Sequence, residues 1–296
     1  MTRCTKRFRY WPALGLVVVC LLASSASAAT EYHHDLDPNH TLFGNLDQDD
    51  VPGCNDPNNV NFACGPTAAV NSFAFLQRKF PSIYGESLIP DTNGNDMIDY
   101  QEMIDVAVIL EDPNFMDCAA CHGGTTLFPD PNNGIYGGFI TGKQKYIEQQ
   151  APGTTIFKNQ GFPNWDFLYG ELWDMEDVEL LVGFYDPNGM RIGGHYVTLT
   201  KFWWEDTNMD DHVDPNEGGM IGFVDPADGM LKMQSLFQLD GRMDLFTDFA
   251  VGGLVAFTRI DWAISESPIP EPATATLVTL GMSALVVRRR RRCRSG

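Results

Sequence analysis

The stretch that most constrains the fold begins at Cys64 and reads CGPTAAVNSFAFLQRK. Ala68, Ala69, Val70, Phe73, Ala74 and Leu76 recur at helical spacing, and Pro66 suits the first helical position, so the pattern predicts a helix from about Pro66 to Lys79. So broad an apolar stripe belongs inside a domain, with other elements laid over it. The helix also opens on a thiol. A cysteine there sits at the positive end of the helix dipole, which favours the nucleophilic thiolate. The plainer alternative is a small buried cysteine that packs the helix start.

Further helices are expected at about Tyr100 to Leu110, Gly142 to Gln150 and Trp165 to Trp173. Strand patterns follow at Val178 to Tyr185, His195 to Trp204, Met220 to Val224, Leu231 to Leu239 and Leu254 to Trp262, while residues 29–63 read as mostly loop. Helices come first and strands later. That order predicts an α+β protein whose N-terminal helices pack on a C-terminal antiparallel sheet. No low-complexity linker divides the body, so residues 29–267 read as one domain.

Both ends read as addresses. Residues 1–28 combine a basic start (Arg3, Lys6, Arg7, Arg9), an apolar run from Ala13 to Leu22 and the small residues Ala26-Ser27-Ala28, the pattern of a secretory signal peptide. Residues 268–296 contain Ile269-Pro270-Glu271-Pro272, an apolar run from Ala273 to Val287, and Arg288 to Arg292 with Arg294. This order of parts resembles the PEP-CTERM sorting signal of exported bacterial proteins. The resemblance implies export and sorting machinery as partners, and a place at the cell surface or in an exopolysaccharide matrix. The apolar run would make a helix of about 22 Å against a hydrocarbon core of roughly 30 Å, which suits a transient transmembrane segment. Without the two ends, ten basic and 38 acidic residues remain, a net charge near −28. Such a body repels phosphate backbones, which excludes nucleic acid as a partner.

Cys64 has partners of the right type downstream. Gly193-Gly194-His195 opens the strand pattern Tyr196-Val197-Thr198-Leu199-Thr200, and Phe223-Val224-Asp225-Pro226 reads as a strand ending in an acid. Cysteine hydrolases need a thiolate, an imidazole to pair with it and protonate the leaving group, and an Asp or Asn to orient the ring. Cys64-Gly65-Pro66-Thr67-Ala68, Gly194-His195-Tyr196-Val197-Thr198 and Asp225-Pro226 together resemble the bacteriocin-processing-peptidase-like branch of the papain superfamily, over roughly residues 45–262. Gly142-Lys143-Gln144-Lys145-Tyr146-Ile147 and Val178-Glu179-Leu180-Leu181 fit its intervening segments. The resemblance implies Cys64 as nucleophile, His195 as base and acid, Asp225 as orienting carboxylate, and a peptide or protein substrate. In one respect the chain departs from the pattern. Papain-type enzymes carry a Gln shortly before the Cys as an oxyanion donor. Here the position six residues before Cys64 is Asn58, and the nearest upstream Gln is Gln48; either supplies an amide.

Two acidic loops have calcium-ligand spacing. Residues 91–102, DTNGNDMIDYQE, offer side-chain oxygens at Asp91, Asn93, Asn95, Asp99 and Glu102 and a carbonyl at Met97. Residues 206–217, DTNMDDHVDPNE, repeat the pattern with Asp206, Asn208, Asp210, Asp214 and Glu217, and His212 stands where the first loop has Met97. Calcium gathers roughly six to eight oxygens, which this spacing delivers. Both loops put Asp (Asp96, Asp211) where an EF-hand has a glycine of positive φ, a conformation Asp tolerates better than most residues. They resemble EF-hand or dockerin loops, and a solvated acidic turn is the alternative.

Cys118-Ala119-Ala120-Cys121-His122 has the form of a c-type haem attachment motif, with His122 as axial ligand. In an oxidising compartment the competing reading is a disulfide, either Cys118–Cys121 or one of these with Cys54. The leading functional expectation is therefore an exported thiol peptidase braced by calcium. A catalytically retired calcium-binding surface module and a haem protein are the alternatives.

Overall fold

The computed structural model describes residues 30–54, 61–119, 123–209, 217–239, 244–249 and 253–269. The leader-like segment 1–28 and the tail from Pro270, with its expected transmembrane segment, lie outside these. No helix among the described residues is long and apolar enough to cross a membrane.

The chain is α+β and built around a large, wholly antiparallel sheet. Its strands are β1 (Thr30–Asp35), β2 (Thr155–Gly161), β3 (Asp177–Tyr185), β4 (Arg191–Asp206), β5 (Gly219–Asp225), β6 (Met230–Gln238), β7 (Leu245–Thr247) and β8 (Phe257–Pro268). Successive pairings run β4-β3-β8-β7-β6-β5, and β5 pairs again with β4, so the ladder closes on itself. β1 extends the free end of β4, and β2 pairs with β8. The α-helices among the described residues are α1 (Cys64–Lys79), the short α2 (Pro81–Tyr84), α3 (Tyr100–Glu111), α4 (Phe139–Gln150) and α5 (Trp165–Trp173). α1 packs against β3, β4 and β5 on one side and against α3 on the other. Every residue from Gly65 to Gln77 is buried, as its apolar stripe demands.

The helices before β3 come in the expected order, and four details differ from expectation. Residues 29–63 are not all loop, because Thr30–Asp35 forms β1, and β2 was not expected at all. Both are strands beside a single partner, and their sequences, TEYHHD and TIFKNQG, mix polar and apolar residues without clean alternation. Their pairing is dictated by β4 and β8 rather than by their own pattern. The helix at Cys64 starts two residues earlier than expected, so Pro66 is its third residue; the first-turn amides have no helical acceptor, so its missing N–H costs nothing there. The last strand runs Phe257–Pro268 rather than Leu254 to Trp262, because Asp261, Ser265 and Glu266 are buried polar residues inside it.

One charged cluster lies within the core. Lys143 of α4 is fully buried, with its Nζ 2.6 Å from Glu266 of β8 and 3.5 Å from Asp177 of β3, and it also contacts Glu179 of β3. It donates to Ser72 of α1 at 2.9 Å, and Ser72 donates in turn to Asp177. Burial pushes the Glu179 carboxyl up to about 7 and raises that of Glu266 well above the ordinary carboxyl range. Burial opposes the Lys143 charge, but Glu179, Glu266 and Asp177 outweigh it and hold the ammonium above the ordinary lysine range. The cluster ties α1 and α4 to the centre of the sheet.

Candidate active site

Cys64 is the first residue of α1, His195 lies inside β4, and Asp225 is the last residue of β5. The β4–β5 register, Thr198 opposite Val224, brings His195 and Asp225 to neighbouring positions. α1 is fixed over that edge by Thr198 Oγ1, which donates to the Ala68 carbonyl at 2.8 Å. The three residues singled out in the sequence therefore converge. His195 Nε2 is 2.6 Å from Asp225 Oδ1, and the ring is close enough to the Cys64 sulfur for each to shift the other's titration. With Nε2 engaged by Asp225, Nδ1 is the nitrogen left for the thiol.

The electrostatics follow from that geometry. Burial pushes the Cys64 thiol up. The His195 hydrogen bond and charge, with the amides of Tyr196 and Gly65, pull it further down, so its net shift is downward. Burial opposes the His195 charge, but Asp225 and the Cys64 sulfur raise the imidazole to about 9. Burial raises the Asp225 carboxyl, and His195, Lys232 and the Ala227 amide bring it down to about 2. The arrangement keeps the imidazole protonated and the carboxylate ionised at neutral pH and shifts Cys64 toward its thiolate.

Two residues of this site were not read from the sequence. Lys232 of β6 donates to Asp225 Oδ2 at 2.6 Å, which leaves Oδ1 to the imidazole. Phe249 stacks on the His195 ring at 5.7 Å between centroids. A lysine in a half-exposed strand and an aromatic in a loop carry no motif. Only the pairing of β6 with β5 and the return of the chain past β7 bring them to the site.

Of the two expected amide donors, Gln48 is near and Asn58 lies outside the described residues. The Gln48 backbone amide donates to the Pro226 carbonyl at 2.7 Å, one residue beyond Asp225. Its Nε2 reaches the Asn61 carbonyl at 3.4 Å, three residues before Cys64, and its Oε1 is buried without a partner. Asn61 clips this loop by donating to the Gln48 and Val51 carbonyls at 2.6 and 3.0 Å. A cleft of about 650 Å³ opens beside Cys64 and is lined by Thr125, Phe162, Tyr185, Arg191, Arg259 and Trp262 among others. Trp165, Trp203 and Trp204 do not line it; Trp204 stacks on Tyr32 and Trp165 packs edge-on against Phe202.

Cys54 and Cys118 form a disulfide, one of the pairings left open by the sequence. It binds the segment that leads into α1, where the Phe62 amide donates to the Cys54 carbonyl at 2.9 Å. The Cys118 sulfur is therefore engaged, and with this bond in place it makes no thioether to haem. Cys121 and His122 lie outside the described residues.

The loop 91–102 folds around the Asp91 carboxylate. Asp91 Oδ1 accepts from the Asn93, Gly94 and Asn95 amides and Oδ2 from the Asp96 amide, at 2.6–3.3 Å. Gly94 and Asp96 have φ of 73° and 60°, so Asp96 adopts the left-handed conformation expected of it. Asn95 Oδ1 accepts the Met97 amide, and Asn93 reaches the Asp99 carboxylate. Asp99 caps α3 and Glu102 reaches back to the Asp99 amide, a capping box. Glu102 Oε1 also accepts the Thr92 amide at 2.6 Å. The second loop repeats that contact: Glu217 Oε1 accepts the Thr207 amide and hydroxyl, each at 2.6 Å. Met209, at the position of Gly94, has φ of 62°. Asp206 and Glu217 are buried, and Asn208 donates its amide to Glu217. Asp210, His212 and Asp214 lie outside the described residues. Compared with known proteins, the chain matches no family model and no curated protein.

Proposed function

We propose that this chain is a thiol-dependent hydrolase of peptide or amide bonds with a papain-like arrangement, in which Cys64 is the nucleophile, His195 the acid and base, and Asp225 the orienting carboxylate. The observation that carries the reading is the convergence of the three residues: His195 Nε2 lies 2.6 Å from Asp225 Oδ1, and the same imidazole is close enough to the Cys64 sulfur to pull the thiol down. The thiolate attacks the scissile carbonyl from the first turn of α1, and electrons move onto the carbonyl oxygen. His195 then gives its proton to the departing amine as the C–N bond breaks, leaving a thioester on Cys64. In the second half His195 takes a proton from water, whose oxygen attacks the thioester carbonyl, and Cys64 leaves as the thiolate. The Asp225 carboxylate holds the ring in place and stabilises its charge, and Lys232 and Phe249 restrict its motion. Gln48, clipped to the Pro226 and Asn61 carbonyls beside the site, is the side-chain amide we assign as oxyanion donor.

Calcium fits the donor chemistry of the loop 91–102, where Asp91, Asn93, Asn95, Asp99, Glu102 and the Met97 carbonyl would hold it. A bound ion there supplies charge compensation that keeps α3 against α1 and takes no part in bond breaking. The second loop joins β4 to β5, the strands of His195 and Asp225, so an ion at Asp206, Asn208 and Glu217 would brace the catalytic pair. The leader and the Pro-Glu-Pro tail support export, and a place at the cell surface or in an extracellular matrix.

The test is labelling by a peptidyl epoxide that alkylates active-site thiols. The calcium-loaded protein should be labelled at Cys64, and Cys64→Ala should not be labelled. A folded protein that takes no label at Cys64 refutes the hydrolase.

A further inference from the structure

The cleft beside Cys64 has a charge pattern opposite to that of the rest of the molecule. The chain carries a formal net charge of −19. Yet, apart from the Cys64 thiol, the ionisable side chains of Asp, Glu, Lys or Arg lining the cleft are Arg191, Arg259 and Asp261, two cations to one anion. Asp261 of β8 organises them. Its Oδ2 accepts from Arg191 Nε at 2.8 Å, and its Oδ1 accepts from Arg259 Nε at 3.1 Å and from the Tyr185 hydroxyl at 2.7 Å. Arg259 is also held by Asp244 at 3.3 Å and lies over the rings of Phe162 and Tyr185 at 4.4 and 4.6 Å. Its charge is spoken for on every side.

Arg191 differs. Only its Nε is committed; among the described residues neither Nη has a hydrogen-bond partner. Its side chain is 44% exposed. The sheet makes room for it. Gly183 and Gly194 face each other across β3 and β4. A Cβ at Gly194 would stand 2.2 Å from Arg191 Nη2, and one at Gly183 would stand 2.0 Å from Asp261 Oδ2. Glycine inside a strand weakens it, and here two cross-strand glycines clear a trough in which the guanidinium lies against the backbone next to His195. The fork is held at Nε and open at both Nη atoms, the geometry that matches a carboxylate bidentately.

We propose that Arg191 is a specificity-determining residue that binds a carboxylate of the substrate in the cleft beside Cys64, so that the preferred substrate is a peptide bearing an acidic group. The inference rests on the hydrolase reading of Cys64, and its test separates the two. The long-range field of an acidic protein would favour cationic peptides. Within the cleft that field is screened over roughly 8–10 Å, while the guanidinium acts at contact distance.

The experiment compares alkylation of Cys64 by iodoacetate, an anion, and iodoacetamide, its neutral analogue, in the full chain, with the modified residue identified by mass spectrometry. In both reactions the thiolate displaces iodide from the same carbon, so the ratio of rates reads the carboxylate's contribution. Arg191→Gln should lower the iodoacetate-to-iodoacetamide ratio about tenfold, equivalent to about 1.4 kcal/mol. Arg191→Lys should fall between the two, because it keeps the charge and loses the fork. A ratio unchanged by Arg191→Gln overturns the carboxylate subsite and leaves the hydrolase standing. A Cys64 that neither reagent modifies overturns the hydrolase and the subsite with it. Protection of Cys64 from iodoacetamide by short peptides identifies the source of the carboxylate. A C-terminally amidated glutamyl peptide should protect if a side chain is bound, and a glutaminyl peptide with a free C-terminus should protect if the terminal carboxylate is. Equal protection by an amidated lysyl peptide would refute the proposal.

Discussion

Replacing Lys143 by Met removes the one cation from a buried group of three carboxylates. Its Nζ lies 2.6 Å from Glu266, 3.5 Å from Asp177 and against Glu179, all without solvent exposure. Breaking a buried pair by deleting one partner costs about 3–5 kcal/mol, because the remaining charge is stranded. That figure applies at pH 8, where the carboxyls would have to ionise or keep their protons against the solvent. Glu179 is already pushed up to about 7 with the lysine present, and it rises further without it. For a carboxyl raised in the folded state, the stabilising contribution is complete below its unfolded value near 4.5 and is lost as pH rises through the folded value. At pH 5 Glu179 and Glu266 therefore hold protons cheaply, and the loss should shrink to under about 2 kcal/mol. Urea unfolding of the full chain, followed by tryptophan fluorescence at both pH values, measures the difference. Neutralising the partners as well (Asp177→Asn, Glu179→Gln, Glu266→Gln) should recover most of the loss at pH 8. An equal loss at pH 5 and pH 8 would refute the electrostatic account and point to lost packing of the lysine stem.

Three further outcomes follow from the geometry. Reduction of Cys54–Cys118, which closes a separation of 64 residues, should destabilise the protein by about 4 kcal/mol, read as a lower melting temperature in reductant. Asp225→Asn should move the alkaline limit of hydrolysis, where His195 loses the proton it gives to the leaving amine, down from about 9 toward the ordinary histidine value. The same change should remove a stability term of up to about 3 kcal/mol that the wild type holds below pH 6.5 and loses as pH rises through about 9. Calcium at about a hundred times its dissociation constant should add roughly 2.7 kcal/mol of stability, a rise of several degrees in Tm; Glu102→Gln should reduce it, and an unchanged Tm with chelator would remove calcium from the account.

The site was legible in the sequence because each of its three residues stands at a boundary that composition marks. Cys64 precedes Gly-Pro and an apolar helix, His195 follows two glycines and leads into an apolar strand, and Asp225 ends one before Pro226. The helices before β3 and the strands from β3 to β6 were legible for the same reason, since their buried faces impose a period. β1 and β2 were not, because a strand beside one partner needs no apolar face of its own. Lys143 reads as a solvated helix residue, and only the fold reveals that α4 turns it toward Asp177, Glu179 and Glu266. Arg191 and Asp261 sit 70 residues apart, and their pairing depends on the β3 register with both β4 and β8.

The central claim is that Cys64 is a thiolate paired with the His195 imidazolium at neutral pH. The rate of its alkylation by iodoacetamide as a function of pH tests that claim most directly, with His195→Ala as comparison. In the wild type the rate should reach its plateau well below the ordinary thiol range near 8.5, and His195→Ala should move the midpoint up. A wild-type midpoint at or above 8.5, unmoved by His195→Ala, would contradict it.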